Sequence, residues 1–302
     1  MSHRTAPRRV GRRIMGVHAG VVFAFFYAPI AILIIFSFSG DRIVGQWGGF
    51  TLDWYREFWN NDQLTNSITV SLQVALIATV ASVVLGTLSA LALERFRFRG
   101  RRVFDALLYL PIIIPDVTMG IMMLVFFAEG IDVVDSLLGI SLAKGITTIT
   151  LSHIAFCISF VSVVVRARLS GMDSRLEEAA MDLYATRWQT FRYVTLPQIL
   201  PGVAGGGLLA LTLSLDDVVI SQFTSGPGAT TLPVYVFSLI RKGVTPMINS
   251  VSVVMFLASL VLIAAMLGVD RLRSTGSNVP SAVPRGDLSA EPAVGGHERG
   301  DT

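Results

Sequence analysis

Three carboxylates lie within or at the end of long apolar runs, where an ionised side chain needs a specific partner. Asp116 follows the proline-flanked run 110–115, and Asp216 and Asp217 end another apolar run. A charged side chain within a membrane span costs about 2.5–3.5 kcal/mol on insertion scales, so its presence calls for a function. Carboxylates attract cationic groups. We therefore interpret Asp116, Asp216 and Asp217 as candidates for the pathway of a positively charged solute.

Alternatives remain open for these side chains. A neighbouring span could satisfy Asp116, whereas Asp216 or Asp217, nearer the end of its run, could face water. Adjacent residues on a helix project about 100° apart, so at most one of the pair faces a central pathway squarely. His153, in a further apolar run, is interpreted as a hydrogen-bonded residue between helices, with a proton relay as the alternative.

The sequence carries no combination of residues typical of an enzyme site. It has no G-x-x-x-x-G-K-[ST] phosphate loop, no H-E-x-x-H metal motif and no Gly-x-Gly-Asp motif. Its one cysteine, Cys157, lies inside an apolar run and can form neither an intramolecular disulfide nor a cysteine-based metal site. We predict a protein with no catalytic residues, no metal and no cofactor.

The apolar residues gather in long runs that must position these side chains. Of the 302 residues 52% are apolar and 15% are charged, against roughly 25% charged in a soluble domain. A helix of about 20 apolar residues spans a bilayer core. We predict an all-α membrane protein whose six transmembrane helices cover 17–38, 67–93, 106–127, 146–165, 202–220 and 248–268. The first is expected to be an uncleaved span, because it is long for a signal peptide and no A-x-A site follows.

The basic residues indicate the orientation of these spans. Of the 24 Lys and Arg residues, 19 lie in segments that alternate with the others along the predicted topology: 1–16, 94–102, 166–197 and 269–302. Cytoplasmic loops carry the excess of Lys and Arg, so both termini are predicted to be cytoplasmic. A basic tail (1–16) and a disordered tail (269–302) flank the membrane domain (17–268). The pI near 9.3 thus follows membrane topology and does not indicate nucleic-acid binding.

Two proline pairs are predicted to interrupt helices. Pro111 and Pro115 in the third span should kink or unwind the helix beside Asp116, and irregular backbone at that depth lines a cavity or is buried. Pro197 and Pro201 are predicted to stop helical hydrogen bonding before the fifth span.

Small residues mark the start of that fifth span. Gly202 and Gly206 stand at GxxxG spacing, with Gly205 and Gly207 beside them. Such residues allow close helix contact, so we assign these glycines to packing.

The longest inner loop, 166–197, contains a predicted amphipathic helix. Residues at helical spacing form one line along it, with Tyr184 and Trp188 beside them: Leu176, Ala180, Leu183, Arg187 and Phe191. A lone amphipathic helix commonly lies on the membrane surface. Here the polar face is not Lys-rich, and exposed aromatic residues favour a protein partner.

The same loop resembles the EAA loop of permease subunits of ATP-binding-cassette (ABC) importers. That pattern is Glu-Ala-Ala, three residues, Gly, nine residues, then Ile-x-Leu-Pro. Here Glu178-Ala179-Ala180, Tyr184 and Val194-Thr195-Leu196-Pro197 stand in register, with Val for Ile and Tyr184 for the glycine. Glycine permits a turn between two short helices, whereas a tyrosine with positive φ is costly. We therefore expect an altered turn or a straighter helix.

The resemblance implies a type I ABC-importer permease (MetI-like) fold and a separate ATPase partner, since this chain has no phosphate loop. Closure of the ATPase dimer would move the 178–192 helix and switch the spans between inward- and outward-facing states. The residues implied to dock on the ATPase are Glu178, Ala179, Ala180, Leu183, Tyr184, Trp188, Leu196 and Pro197.

Further segments are similar to the second permease of polyamine (spermidine/putrescine) ABC importers: FRFRGR at 96–101, Pro115-Asp116, Ser152-His153, SLDDVV at 214–219 and SGPG at 225–228. The resemblance implies a non-catalytic, multi-pass subunit of a bacterial cytoplasmic membrane. Its implied partners are a cytoplasmic ABC ATPase dimer, a sister permease, an extracytoplasmic polyamine-binding protein and the lipid bilayer, without nucleic acid. The implied cargo is a flexible polycation, which carboxylates and aromatic faces can bind.

Other functions remain as alternatives. Another solute, such as iron or another cation, would keep the importer assignment, while an anion is disfavoured because the predicted spans contain no Lys or Arg. A channel would not require an EAA-type docking helix. An intramembrane enzyme would require a catalytic pair that the sequence lacks.

Overall fold

The computed structural model describes residues 8–43, 45–138, 144–242 and 246–275, and in this part of the chain every regular element is a helix. A π-helical turn, Phe191–Thr195, joins the eighth helix to the ninth. In chain order the α-helices are α1 (Arg8–Phe36), α2 (Asp53–Asn60), α3 (Asp62–Arg95), α4 (Arg101–Ile113), α5 (Asp116–Leu138), α6 (Ile146–Ser170), α7 (Arg175–Asp182), α8 (Arg187–Thr190), α9 (Leu196–Asp216), α10 (Val219–Thr224), α11 (Leu232–Lys242) and α12 (Pro246–Thr275).

Among the described residues, four helical stretches are long and apolar enough to cross a membrane: Ile14–Phe36, Asp62–Arg95, Ile146–Ser170 and Arg187–Asp216. The bent pair α4 and α5 forms a fifth if it counts as one span. These stretches overlap the first five predicted runs, although the first ends at Phe36 and the fifth at Asp216, and α12 covers the sixth. Helix α1 begins inside the predicted N-tail and α12 continues to Thr275. The rest of the predicted tails, 1–7 and 276–302, lies outside the described residues.

Proline chemistry places the break between α4 and α5. Ile114 has extended backbone angles, φ −72° and ψ 132°, because the ring of Pro115 disfavours the helical conformation in the residue before it. The two helices meet at a bend of 114°. The predicted interruption beside Asp116 is therefore confirmed, but only Pro115 breaks the helix, since α4 continues through Pro111.

The prediction for the second proline pair is wrong. Arg187–Asp216 forms one helical stretch, with Pro197 in the first turn of α9 and Pro201 inside it. Upstream of Pro197 the chain forms a π-helical turn, in which the amide of Leu196 donates to the carbonyl of Phe191. The π-helical turn accommodates the regular helical hydrogen bonds that are lost near the prolines, and the helix continues beyond them.

Helices α3, α6 and α9 pack together as the core of the described fold. Close approach depends on glycine, since a Cβ at Gly202 would lie 2.8 Å from the Cβ of Arg168, and one at Gly207 3.0 Å from a methyl group of Val83. Gly206 faces Val161 of α6 at 3.3 Å by the same measure, whereas Gly205 has open space. The packing prediction holds for three of the four glycines.

The chain divides into two compact units, with the boundary between Val253 and Val254 inside α12. The first unit contains α1 to α11 and the start of α12. All sites described below belong to it.

Candidate functional site

The end of α9 separates two neighbouring carboxylates. The helix closes at Asp216, and Asp217 takes extended angles, φ −68° and ψ 124°. This break shortens the predicted fifth span, which had been expected to continue to Ile220. As a result Asp216 is exposed and Asp217 is mostly buried.

Asp217 is bound by the helix that follows it. One carboxylate oxygen accepts from the amide of Ile220 at 3.2 Å, and the other accepts from the amide of Ser221 at 2.7 Å. These bonds satisfy donors at the start of α10, which have no intrahelical partner. Asp217 therefore orders α10 against the end of α9.

His153 joins three helices through side-chain bonds. Its Nδ1 lies 2.7 Å from the hydroxyl of Ser214 on α9, and its Nε2 lies 3.0 Å from that of Ser221 on α10 and 3.3 Å from Asp217 Oδ2. An ionised carboxylate only accepts hydrogen bonds, so a hydrogen bond from His153 to Asp217 requires a proton on Nε2. The interpretation of His153 as a hydrogen-bonded interhelical residue is confirmed.

Asp116 begins α5, directly after the bend. Its carboxylate sits at the positive end of a helix. The side chain is exposed. Within the described residues neither Asp116 nor Asp216 forms a side-chain hydrogen bond or an ion pair.

All three predicted pathway carboxylates line one cavity of about 260 Å³. Its remaining walls come from α6, α9 and the start of α10: Phe156, Thr212, Leu213, Val218 and Val219. Asp116 and Asp216 supply negative charge without a partner in the described structure, and Phe156 supplies an aromatic ring. Such a site suits an ammonium group, which carboxylates and aromatic faces both attract.

The EAA-like loop (166–197) lies at the N-terminal end of α9, and the cavity lies at its C-terminal end. The loop forms two short helices, α7 and α8, rather than the single helix that the spacing predicted. Tyr184 makes the turn between them with φ +64°, the left-handed conformation that glycine adopts without strain. The expectation of a straighter helix is wrong. The side-chain oxygen of Thr186 caps α8 through the amide of Gln189 at 3.3 Å.

The turn exposes apolar residues. Leu183 is 82% exposed, Tyr184 97% and Trp188 66%. Of the other residues predicted to dock, Glu178 and Ala179 are exposed and Ala180 is half-buried. These six residues belong to the α7–α8 surface, which is defined here by them.

The last two predicted docking residues lie elsewhere. Leu196 packs against the buried core, and Pro197 stands in the first turn of α9. Helix periodicity could not predict that Leu196 and Pro197 lie outside the α7–α8 surface. Which side of α9 is buried depends on the rotation of this helix relative to its neighbours.

The pairing of Glu177 with Arg95 was not predicted from the sequence. The two terminal nitrogens of Arg95, at the end of α3, donate to the two carboxylate oxygens of Glu177 in α7, each at 2.5 Å. The hydroxyl of Thr195 donates to the same carboxylate at 2.5 Å. The pair lines a groove of about 560 Å³ beneath α7 and α8. The sequence shows acidic residues in the first turn of α7, but it does not indicate that Arg95 is the partner of Glu177.

A profile of the family described as binding-protein-dependent transport system inner membrane component matches residues 82–274. The putrescine transport system permease protein PotI of Escherichia coli K12 is 43% identical over 231 residues, covering 76% of this chain and 81% of that protein. The spermidine/putrescine transport system permease protein PotC of the same strain is 38% identical over 268 residues, covering 89% and 98%. A crystal structure of a bacterial ABC transporter that imports the acidic polysaccharide alginate matches with a TM-score of 0.73 at 19% identity, covering 87% of this chain and 96% of that one.

Proposed function

The chain belongs to the family of binding-protein-dependent transport system inner membrane components and is a permease subunit of an ABC importer, and we propose that it carries polyamines across the cytoplasmic membrane by alternating access. The observation that carries the choice of cargo is the shared cavity of Asp116 and Asp216 beside Phe156. The names of the relatives PotI and PotC agree with this choice.

The cavity matches a flexible chain of ammonium groups better than a compact ion. Asp116 and Asp216 come from different helices and are each exposed, so they can receive separate charges of one molecule. Thr212 adds a hydroxyl, and Leu213, Val218 and Val219 add apolar wall for methylene segments. Among the residues that the structure describes, no Lys or Arg lines the cavity. Another cation, such as iron, is the alternative cargo.

The proposed topology has six spans with both termini in the cytoplasm. The bent pair α4 and α5 serves as the third span, and α12 serves as the sixth. The excess of Lys and Arg in alternate segments supports this orientation. It places the α7–α8 surface in the cytoplasm.

The proposed partners follow from that placement. A cytoplasmic ATPase dimer receives the α7–α8 surface, whose exposed Leu183, Tyr184 and Trp188 suit a protein groove. A sister permease completes the pathway, and an extracytoplasmic polyamine-binding protein delivers the cargo. ATP hydrolysis belongs to the separate ATPase, so this chain is a non-catalytic translocation subunit.

The helical stretch from Arg187 to Asp216 connects the α7–α8 surface with the cavity. It has 30 residues, so it spans about 45 Å at 1.5 Å per residue. Its first turn belongs to α8, and its last residue lines the cavity. Movement of α8 by the ATPase would therefore displace Asp216 relative to Asp116 on α5 and change the access of the cavity.

Uptake competition tests the cargo. Proteoliposomes with the complete importer should accumulate labelled putrescine or spermidine with ATP, and unlabelled polyamines should compete while ferric ion or single-charge amines do not. The polyamine proposal would be overturned if ferric ion abolished the uptake of the labelled compound and unlabelled polyamines left that uptake unchanged. Removal of residues 178–190 should silence an importer but leave a channel conducting.

A further inference from the structure

A second charged feature consists of the connection between α3 and α4 together with the first two residues of α4. This basic–aromatic loop, residues 96–102, reads FRFRGRR and holds four arginines, two phenylalanines and no acidic residue. Arg97, Arg99 and Arg102 are exposed and Arg101 is half-buried. The cavity and docking functions proposed above use none of them.

These arginines differ from their basic neighbours. Arg95 pairs with Glu177, and Arg166 pairs with Asp105 at 2.5 Å and lies 4.0 Å from Glu94. Within the described part of the chain, by contrast, no arginine of the loop has an ion pair. Arg95 and Arg166 are thus paired within the fold, whereas the charge of this loop is available for another molecule.

A backbone turn divides the four arginines into two pairs. Gly100 adopts φ +88°, a left-handed conformation that glycine accepts without cost, and α4 begins at the next residue. Arg97 and Arg99 therefore precede a tight reversal, and Arg101 and Arg102 follow it. The four arginines therefore flank one turn within six residues of the sequence.

Apolar residues accompany this cluster. Phe96 is 63% exposed, and Phe98 is partly exposed and packs edge-on against Phe104 at a ring distance of 6.2 Å. The exposed apolar side chains Val103 and Leu107 continue along α4. Arginine beside exposed aromatic and aliphatic residues is typical of a surface at the membrane–water interface.

The length of α3 allows its end to lie outside the hydrocarbon core. Its 34 residues extend about 51 Å at 1.5 Å per residue, whereas the hydrocarbon core is about 30 Å thick and the bilayer with its headgroups about 40–45 Å. A helix of that length that crosses the core extends about 20 Å beyond it in total, and the predicted apolar span 67–93 ends two residues before the end of α3 at Arg95. The loop begins directly after that end.

We infer that the basic–aromatic loop binds anionic phospholipid headgroups of the cytoplasmic leaflet. This rests on the cytoplasmic placement in the proposed function. Arginine guanidinium groups donate paired hydrogen bonds to phosphate oxygens, and basic clusters next to a membrane span attract anionic lipids. Because Arg95 directly precedes the loop and holds Glu177, bound lipid also fixes the position of the EAA-like loop relative to the membrane.

Lipid retention tests this inference without any cargo. The complete importer is purified from nanodiscs of phosphatidylglycerol and phosphatidylcholine in equal parts, and retained lipids are counted by native mass spectrometry. The native complex should retain phosphatidylglycerol in excess, and R97Q/R99Q should lose at least half of that excess. A matched control, R42Q/R56Q, removes two exposed arginines from the opposite side of the predicted topology and should keep it. High salt should weaken retention, as screening requires.

Equal retention by the native complex and R97Q/R99Q would overturn the inference. Loss of the ATPase from R97Q/R99Q with unchanged lipid would also overturn it and would assign the arginines to an acidic protein surface. Glycerol phosphate that competes as well as phosphatidylglycerol vesicles would make the site one for free phosphate compounds and would contradict the lipid assignment. Labelling of Arg102→Cys from each side of the membrane reads the topology separately, and the uptake assay reads the cargo separately.

Discussion

Arg95 and Glu177, which lie 82 residues apart in the sequence, form a two-pronged ion pair between the end of α3 and the first turn of α7. The side chain of Glu177 is 14% exposed and that of Arg95 is 33% exposed. Helix α7 buries no residue of its own. Glu177 therefore ties α7 to the end of α3, and this ion pair is one route by which force on the α7–α8 surface reaches α3.

Reversal of one charge in this pair should uncouple ATP hydrolysis from uptake. R95E or E177R breaks hydrogen bonds between charged groups, each of which contributes about 1.5–3 kcal/mol, and places like charges together. We expect hydrolysis to continue while uptake falls, and the double reversal R95E/E177R should restore most uptake. Both are measured in the same proteoliposomes.

The exposed pair Arg56–Asp53, at 3.7 Å, provides the control for this experiment. R56E should change neither activity, because exposed ion pairs contribute about 0–1 kcal/mol. A double reversal as defective as each single one would show that the pair does not carry the coupling.

The left-handed conformation of Tyr184 costs conformational free energy, and a substitution can measure this cost. A left-handed residue with a Cβ costs about 1–2 kcal/mol, partly offset by the greater freedom of glycine in the unfolded chain. Tyr184→Gly should therefore raise the free energy of unfolding by up to about 1 kcal/mol relative to Tyr184→Ala. Thermal unfolding of the purified permease measures the difference, and equal stability of the two variants would argue against strain at this turn.

Docking of the ATPase should depend on the α7–α8 surface. A180D/W188D places two carboxylates on this apolar surface and should abolish co-purification of the ATPase, because desolvation of unpaired charge at an interface is costly. The matched control is R192Q, a change at an exposed residue of the π-helical turn outside the α7–α8 surface. Full retention of the ATPase by A180D/W188D would contradict the docking proposal.

The carboxylates of the cavity should set the affinity for polyamine. Asp116→Asn and Asp216→Asn keep the shape of the side chain and remove its charge, so each should raise the KM of uptake about 10- to 100-fold, the equivalent of one charged hydrogen bond. Asp53→Asn, on an exposed residue of α2, should leave KM unchanged. The cation pathway would be wrong if the uptake kinetics of both cavity variants matched those of the native protein.

His153 should act by position and not by transfer of a proton. His153→Ala leaves buried partners unsatisfied and should cost about 1–3 kcal/mol of stability, whereas Ser152→Ala removes only a bond within α6 and should cost less. His153→Gln can hydrogen-bond but cannot shuttle a proton. We expect it to retain measurable uptake, and complete loss with a stable fold would favour the proton relay.

Local chemistry was enough to predict much of this protein. Apolar runs gave the long helices, because a backbone in lipid must satisfy its own hydrogen bonds. Pro115 gave the break beside Asp116, since the ring acts on the residue directly before it. Register within the 166–197 loop gave the family, which depends on residue types at fixed spacing and on no distant contact.

Only the tertiary structure decided which of these residues meet. Periodicity places Asp216 and Asp217 side by side, but the end of α9 falls between them. Both residues line the cavity, yet Asp216 is exposed there, whereas Asp217 is mostly buried and contacts His153. It shows an acidic first turn in α7 but not that Glu177 reaches Arg95. Spacing along a helix fixes directions relative to that helix alone, whereas contacts between helices depend on where each helix ends and how it is rotated against its neighbours.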